Sequence, residues 1–143
     1  MQLTTHSDYA MRLLIYLAVH PGDKPATVKD AAERYGISIN HLAKVAQKLV
    51  QEKLILSQRG RGGGLQLALP PAEINIGQLI RKTENLKLLE CFNEQAACPI
   101  ESACILNSAL HKAQNAFLEV LDGYTLEDIV KNKARLIQSL DVA

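Results

Sequence analysis

The stretch TVKDAAERYGISINHLAKVAQKLVQEK, residues 27–53, decides the fold. Thr27 is a good N-cap, with Asp30 three residues on, and Gly36 stands where a helix ends in the left-handed conformation. Ile37-Ser38 then leads into a second helix over roughly Ser38 to Lys53, whose Leu42, Val45, Ala46, Leu49 and Val50 recur at helical spacing and form one stripe. Its other face presents Asn40, His41, Lys44, Gln47 and Lys48. A helix, a short turn at a glycine and a second helix with a polar outer face is the helix-turn-helix layout. Asn, Gln and Lys on that second helix can hydrogen-bond base edges or phosphates in a major groove.

The residues that follow predict a wing. Leu54 to Ser57 and Leu65 to Leu69 read as two short strands, joined by Gln58-Arg59-Gly60-Arg61-Gly62-Gly63-Gly64. Four glycines in five residues permit a tight hairpin with positive φ, and Arg59 and Arg61 at its tip can reach phosphates or a minor groove. A nucleotide-binding loop fits poorly, because the run lacks a Gly-Lys-Ser/Thr ending and leads into a strand. Charge points the same way. Residues 34–64 carry six Lys or Arg against Glu52 alone, while the segments on either side are net acidic. A basic surface confined to one segment suits a polyanion, although a solvated face has the same composition.

Upstream, Tyr9 to Val19 is apolar on nearly all sides and reads as a buried helix, with Thr5 and Asp8 resembling a capping box at its start and His20-Pro21-Gly22 ending it. Downstream, Ile74 to Glu84 adds a short helix and residues 85–102 look irregular. Ala103 to Leu121 reads as a strong helix, in which Leu106, Leu110, Ala113, Phe117 and Val120 follow the seam spacing of a coiled coil. Asp122-Gly123 ends it, and Thr125 caps a last short helix. The expected fold is mainly α with a small β-hairpin: a winged helix-turn-helix plus a long dimerisation helix. The expected organisation is a DNA-binding domain over 1–84, a ligand-bearing loop over 85–104 and a dimerisation helix with a C-terminal helix over 105–143.

The three cysteines, Cys91, Cys98 and Cys104, fall within fourteen residues. The longest apolar run, Leu13 to Val19, is too short for a membrane span, and the start of the chain lacks a secretory pattern, so a cytoplasmic protein without a membrane partner is expected. In that reducing compartment an odd cysteine count does not suggest a disulfide framework. Thiolates are soft ligands for iron–sulfur clusters or zinc, and the longer gaps favour a cluster over the paired spacing of zinc sites. Buried structural cysteines remain an alternative. An enzyme with a cysteine nucleophile needs a positioned base, and His6, His20, His41 and His111 form no recognisable motif. Three thiolates leave a cluster one coordination site short, for which Asp8 is a candidate beside its plainer role as a capping carboxylate.

Taken together, Met1-Gln2-Leu3-Thr4, Asp8-Tyr9-Ala10, Tyr35-Gly36-Ile37-Ser38, Asn40-His41-Leu42, the Arg59–Gly64 run, Glu90-Cys91-Phe92, Ala103-Cys104, Leu121-Asp122 and Tyr124-Thr125-Leu126 resemble the IscR-like winged-helix iron–sulfur regulators. Within that family they resemble the NsrR-type nitric-oxide-sensing repressors. The resemblance covers nearly the whole chain. It implies a homodimer that binds double-stranded operator DNA, with an iron–sulfur cluster, [4Fe-4S] or alternatively [2Fe-2S], on Cys91, Cys98 and Cys104. It implies Asp8 of the other subunit as the fourth ligand. It also implies release of DNA when nitric oxide nitrosylates or dismantles the cluster. Asn40, His41, Lys44 and Lys48 would read DNA, and Arg59 and Arg61 would serve in the wing. The Cys91–Cys98 gap holds six residues where relatives vary around five, and Asn107 stands where iron–sulfur-assembly regulators carry a His. The second point disfavours a biogenesis regulator. The alternative function is a regulator of the same fold that senses iron–sulfur, iron or redox status.

Overall fold

The computed structural model describes residues 2–93 and 98–142. The fold is mainly helical with one two-stranded antiparallel hairpin. The elements in order are α1 (Thr5–Val19), α2 (Val28–Tyr35), α3 (Ile39–Gln51), β1 (Ile55–Ser57), β2 (Leu65–Leu67), α4 (Ile76–Thr83), α5 (Ile105–Asp122), α6 (Leu126–Ile129) and α7 (Lys133–Leu140). Single 3-10 turns stand at Pro71–Glu73, Glu90–Phe92 and Glu101–Ala103.

Helix α1 is the centre of the core. Ala10, Leu13, Leu14, Tyr16, Leu17 and Val19 are buried on it, and it packs against α2, α3, α4, α6, α7 and β2. That explains a helix apolar nearly all round: few of its faces meet water. Its cap differs from the sequence expectation. Thr4, not Thr5, is the N-cap, its hydroxyl accepting from the Ser7 N–H at 3.3 Å. The one-residue shift places Asp8 beyond the capping position, so its carboxylate accepts from Arg12 Nε at 2.9 Å instead.

The helix-turn-helix forms as the sequence predicts. Thr27 Oγ1 accepts from the Asp30 N–H at 3.0 Å, and Gly36 is left-handed at φ 63. A Cβ there would strain the turn, so glycine lets the N-cap of α3 follow two residues on, at Ser38. Ser38 caps α3, and Leu42, Val45, Ala46 and Leu49 face the core. Val50 leaves the expected stripe for the exposed rim, and the helix stops at Gln51. The wing strands pair Ile55 with Leu67, Leu56 with Gln66 and Ser57 with Leu65, over fewer residues than expected. Leu65 also bridges Ala26, which ties the hairpin to the loop before α2.

Beyond α4 the chain returns to the same core. Residues 74–76 and 124–126 lie antiparallel: the Ile76 N–H donates to Tyr124 O at 3.0 Å and the Leu126 N–H to Ile74 O at 2.8 Å. Thr125 and Asp128 form a full capping box on α6. Helix α7 was not expected. No side chain caps it, but Leu140 and Val142 are buried against α1 and Arg34 pairs with Asp141 at 2.8 Å.

The junction of α4 and α5 is tight. Arg81 grips Asp122 with two bonds, at 2.5 and 2.8 Å, and Asn75 Nδ2 donates to the Asp122 carbonyl at 2.8 Å. Each member of the ion pair shifts the other, raising the Arg81 pKa and lowering that of Asp122, mainly through their hydrogen bonds. Gly77 lies beneath: a Cβ there would stand 1.9 Å from Asp122 Oδ1. Gly77→Ala is therefore expected to cost about 1–3 kcal/mol of stability through overpacking. Urea unfolding of the variant at wild-type stability would contradict this packing.

Candidate DNA-reading face and cysteine site

Helix α3 presents Asn40, His41, Lys44 and Gln47 to solvent. Lys48 is half-buried and already engaged: it pairs with Glu52 at 3.0 Å, and Lys82 reaches the same carboxylate at 3.3 Å. The two lysines hold the Glu52 carboxyl below its ordinary range, Lys48 contributing most. Arg59 and Arg61 are exposed in the wing and, among the described residues, meet no carboxylate. The hairpin tip turns at Gly60 and Gly62, both at positive φ, and closes with the Gly63 N–H on Gly60 O at 3.0 Å. Sequence reasoning missed His6, which lines a shallow hollow with Tyr9, His41 and Lys44 beside the reading helix. No local pattern marks it, because only the α1–α3 crossing brings it there.

The cysteine segment connects to α1 through α4. Glu84, just past α4, accepts from the Thr4 N–H at 2.6 Å and from the Thr4 hydroxyl at 2.9 Å. Ser7 Oγ meets Thr83 Oγ1 at 2.7 Å alongside. Burial pushes the Glu84 carboxyl up, but donors at Ser7 and Thr4 and the charge of His6 outweigh it and hold the pKa low. The chain then runs to Cys91, held on the way by Gln114 of α5, which donates to the Leu86 carbonyl. Glu84 and Gln114 were invisible in the sequence, since their partners lie 80 and 28 residues away.

Cys91 sits in the Glu90–Phe92 turn, and Cys104 is the N-cap of α5. Asn107 joins them. Its backbone N–H donates to Cys104 Sγ at 3.4 Å and its Nδ2 to Cys91 Sγ at 3.5 Å. Phe92 stacks on His111 one turn further along α5, with centroids 3.8 Å apart and planes 5° from parallel. All three cysteines are half-buried free thiols. Residues 94–97, between Cys91 and Cys98, lie outside the described residues. Among the described residues no three Cys, His, Asp or Glu side chains form a group that could hold a metal ion. The donor chemistry nonetheless suits an iron–sulfur cluster: soft, unpaired, partly shielded thiols, two of them gathered on one residue. Asp8 is bound to Arg12, whose guanidinium lies over the Tyr35 ring at 5.6 Å, and no hydrogen bond or ion pair joins it to the cysteine segment among the described residues. The Tyr35 hydroxyl is pushed up to about 12, mainly by burial.

Helix α5 shows an uncovered apolar face. Leu118 alone is buried on it, while Ile105, Leu106 and Val120 are 84, 60 and 64% exposed. Of the expected seam, Leu106, Ala113 and Val120 are exposed, and Leu110, Ala113 and Phe117 line a hollow shared with Leu3, Leu86 and Leu89. No described helix is long and apolar enough to cross a membrane.

Residues 3–132 match the model of the Rrf2 family, described as iron-dependent transcriptional regulators. The chain belongs to the Rrf2 family. It is 48% identical over 138 residues to the HTH-type transcriptional regulator NsrR of Halalkalibacterium halodurans, covering 95% of this chain and 94% of that one. It is 44% identical over 142 residues to the NsrR of Bacillus subtilis, covering 98% and 97%. Among solved structures it is similar to T. potens IscR, with a TM-score of 0.74, 30% identity and coverage of 92% and 88%. It is also similar to CymR, the global cysteine regulator of B. subtilis, with a TM-score of 0.71, 27% identity and coverage of 92% and 98%. As an Rrf2 protein it is a transcriptional regulator and not an enzyme.

The Glu84–Thr4 tie has a pH signature. A carboxyl held below its ordinary range adds stability that is present above that range and is lost as pH falls through the lowered value. Urea unfolding should therefore find Glu84→Gln less stable than wild type at pH 7, with the gap closing in acid. A gap that does not change with pH would contradict the assignment.

Proposed function

We propose that this Rrf2 regulator is a nitric-oxide-responsive repressor that binds operator DNA as a homodimer in the cytoplasm. The observation that carries this reading is the meeting of Cys91 and Cys104 on Asn107, at the foot of a helix with an uncovered apolar face. In this reading residues 1–84 read DNA, 85–104 carry the ligands and 105–143 join the subunits. Leu126, Val130, Leu140 and Val142 of the last segment also help close the core around α1.

Each residue set has a physical part. Asn40, His41, Lys44 and Lys48 enter a major groove, with Lys48 exchanging Glu52 for phosphate, and Arg59 and Arg61 grip the backbone beside it. The exposed Leu106, Ala113 and Val120 pack on a second copy, since a face this apolar is favoured out of water. Cys91, Cys98 and Cys104 hold an iron–sulfur cluster, with Asp8 of the second copy as the further ligand. When bound, the cluster supplies irons that react with nitric oxide and so makes the attachment of the cysteine segment conditional on the gas. Asp8 then has two partners to choose between, Arg12 within its own helix and the site on the other subunit.

Support comes from several directions. The relatives named NsrR match nearly end to end, the basic residues gather on α3 and the wing, and the three thiols are free. The decisive experiment is an anaerobic titration of brown, iron-loaded protein with nitric oxide, read by operator binding. Affinity should fall by about 5- to 150-fold, the range of a 1–3 kcal/mol coupling. Unchanged affinity across the titration would overturn the reading. For the wing, Arg59→Ala should weaken binding on all sequences and lower the salt slope by about one phosphate contact. An unaltered slope would remove Arg59 from the interface.

A further inference from the structure

Asn107 is the one residue through which two of the three cysteine-bearing positions meet among the described residues, and the two bonds come from different parts of it. The backbone N–H serves Cys104 Sγ at 3.4 Å and the side-chain amide serves Cys91 Sγ at 3.5 Å. Both place a hydrogen on sulfur. A thiolate only accepts, so an amide nitrogen suits it and a carboxylate oxygen in the same place would repel it. Phe92, the neighbour of Cys91, lies flat on His111 one turn beyond Asn107, a second contact between the Cys91 turn and α5.

We propose that Asn107 is a positioning residue for the cluster of the preceding section: it fixes Cys91 against the start of α5 and tunes the electronics of the group through an N–H to sulfur bond. The inference rests on that functional reading. A donor on a ligating sulfur draws negative charge from it and favours the more reduced, more negative state of the cluster. Removing the donor therefore lowers the reduction potential. It also loosens the Glu90–Phe92 turn, leaving the Phe92–His111 stack as its contact with α5, so the cluster is lost to a chelator faster.

The test uses full-length wild type, Asn107→Ala and Asn107→Asp, each loaded with iron and sulfide without oxygen. Helix content, iron and sulfide per chain, reduction potential and the rate of bleaching by a chelator are measured on all three. Asn107→Ala should keep its helices, show a lower potential and bleach several-fold faster. Asn107→Asp keeps the shape but turns an acceptor and a negative charge toward sulfur, so it should show the largest shift, or lose loading altogether at unchanged helix content. A role in packing alone gives the opposite order, with Asn107→Ala the more disturbed. That order, or equal potentials in all three proteins, overturns the inference. A wild type that takes up no iron and sulfide overturns the functional reading instead, and separates the two failures.

Discussion

One carboxylate ties the end of α4 to the start of α1. Glu84 closes α4 by accepting both hydrogens that Thr4 offers at the start of α1. Thr4 is the N-cap of that helix, and its backbone N–H has no partner within the helix. The same residue begins the irregular run that leads to Cys91. Residues 85–91 thus follow directly on a contact with the N-cap of α1, and α1 is the helix on which α2, α3, α4, α6, α7 and the wing strand β2 all pack. Because a close-packed core transmits displacement instead of absorbing it, in the proposed function a change at the thiols would have a short mechanical route to α3.

The second constraint sits at the other end of α5. Asp122 is held by Arg81 and Asn75 over a glycine that leaves no room for a side chain. Helix α5 is thus anchored to α4 at its C-terminal end, and at its N-terminal end it carries Cys104 and the Asn107 contact to Cys91. Between these two ends its apolar face is uncovered. A dimer built on that face would set the distance between two α3 helices, and the cysteine site would lie at the lever's free end. The Asp8–Arg12 pair fits this picture as a surface contact of modest strength that a better partner for Asp8 could displace.

The sequence was most legible where short-range chemistry decides the structure. Thr27, Gly36 and Ser38 mark the helix boundaries because caps and a left-handed glycine act within four residues. The wing follows from its glycines for the same reason. Legibility failed where distant partners choose between local options. Thr4 and Thr5 are equally good caps, and Glu84 across the fold holds the first. Helix α7 has no cap to announce it and is held in place by burial of Leu140 and Val142 and by Arg34. At the site, the thiols were read from their types and spacing, but Asn107 was seen only as a missing histidine, since its amide gains meaning from where Cys91 lies in space.

The most direct measurement of the central claim is the separation of the two reading helices in the dimer. Spin labels at Gln47, exposed on α3, report that distance in iron-loaded protein before and after nitric oxide. The account predicts a narrow distribution compatible with half-sites about 34–36 Å apart, which shifts or broadens once the gas is added. A distribution that stays the same while DNA is released would contradict it.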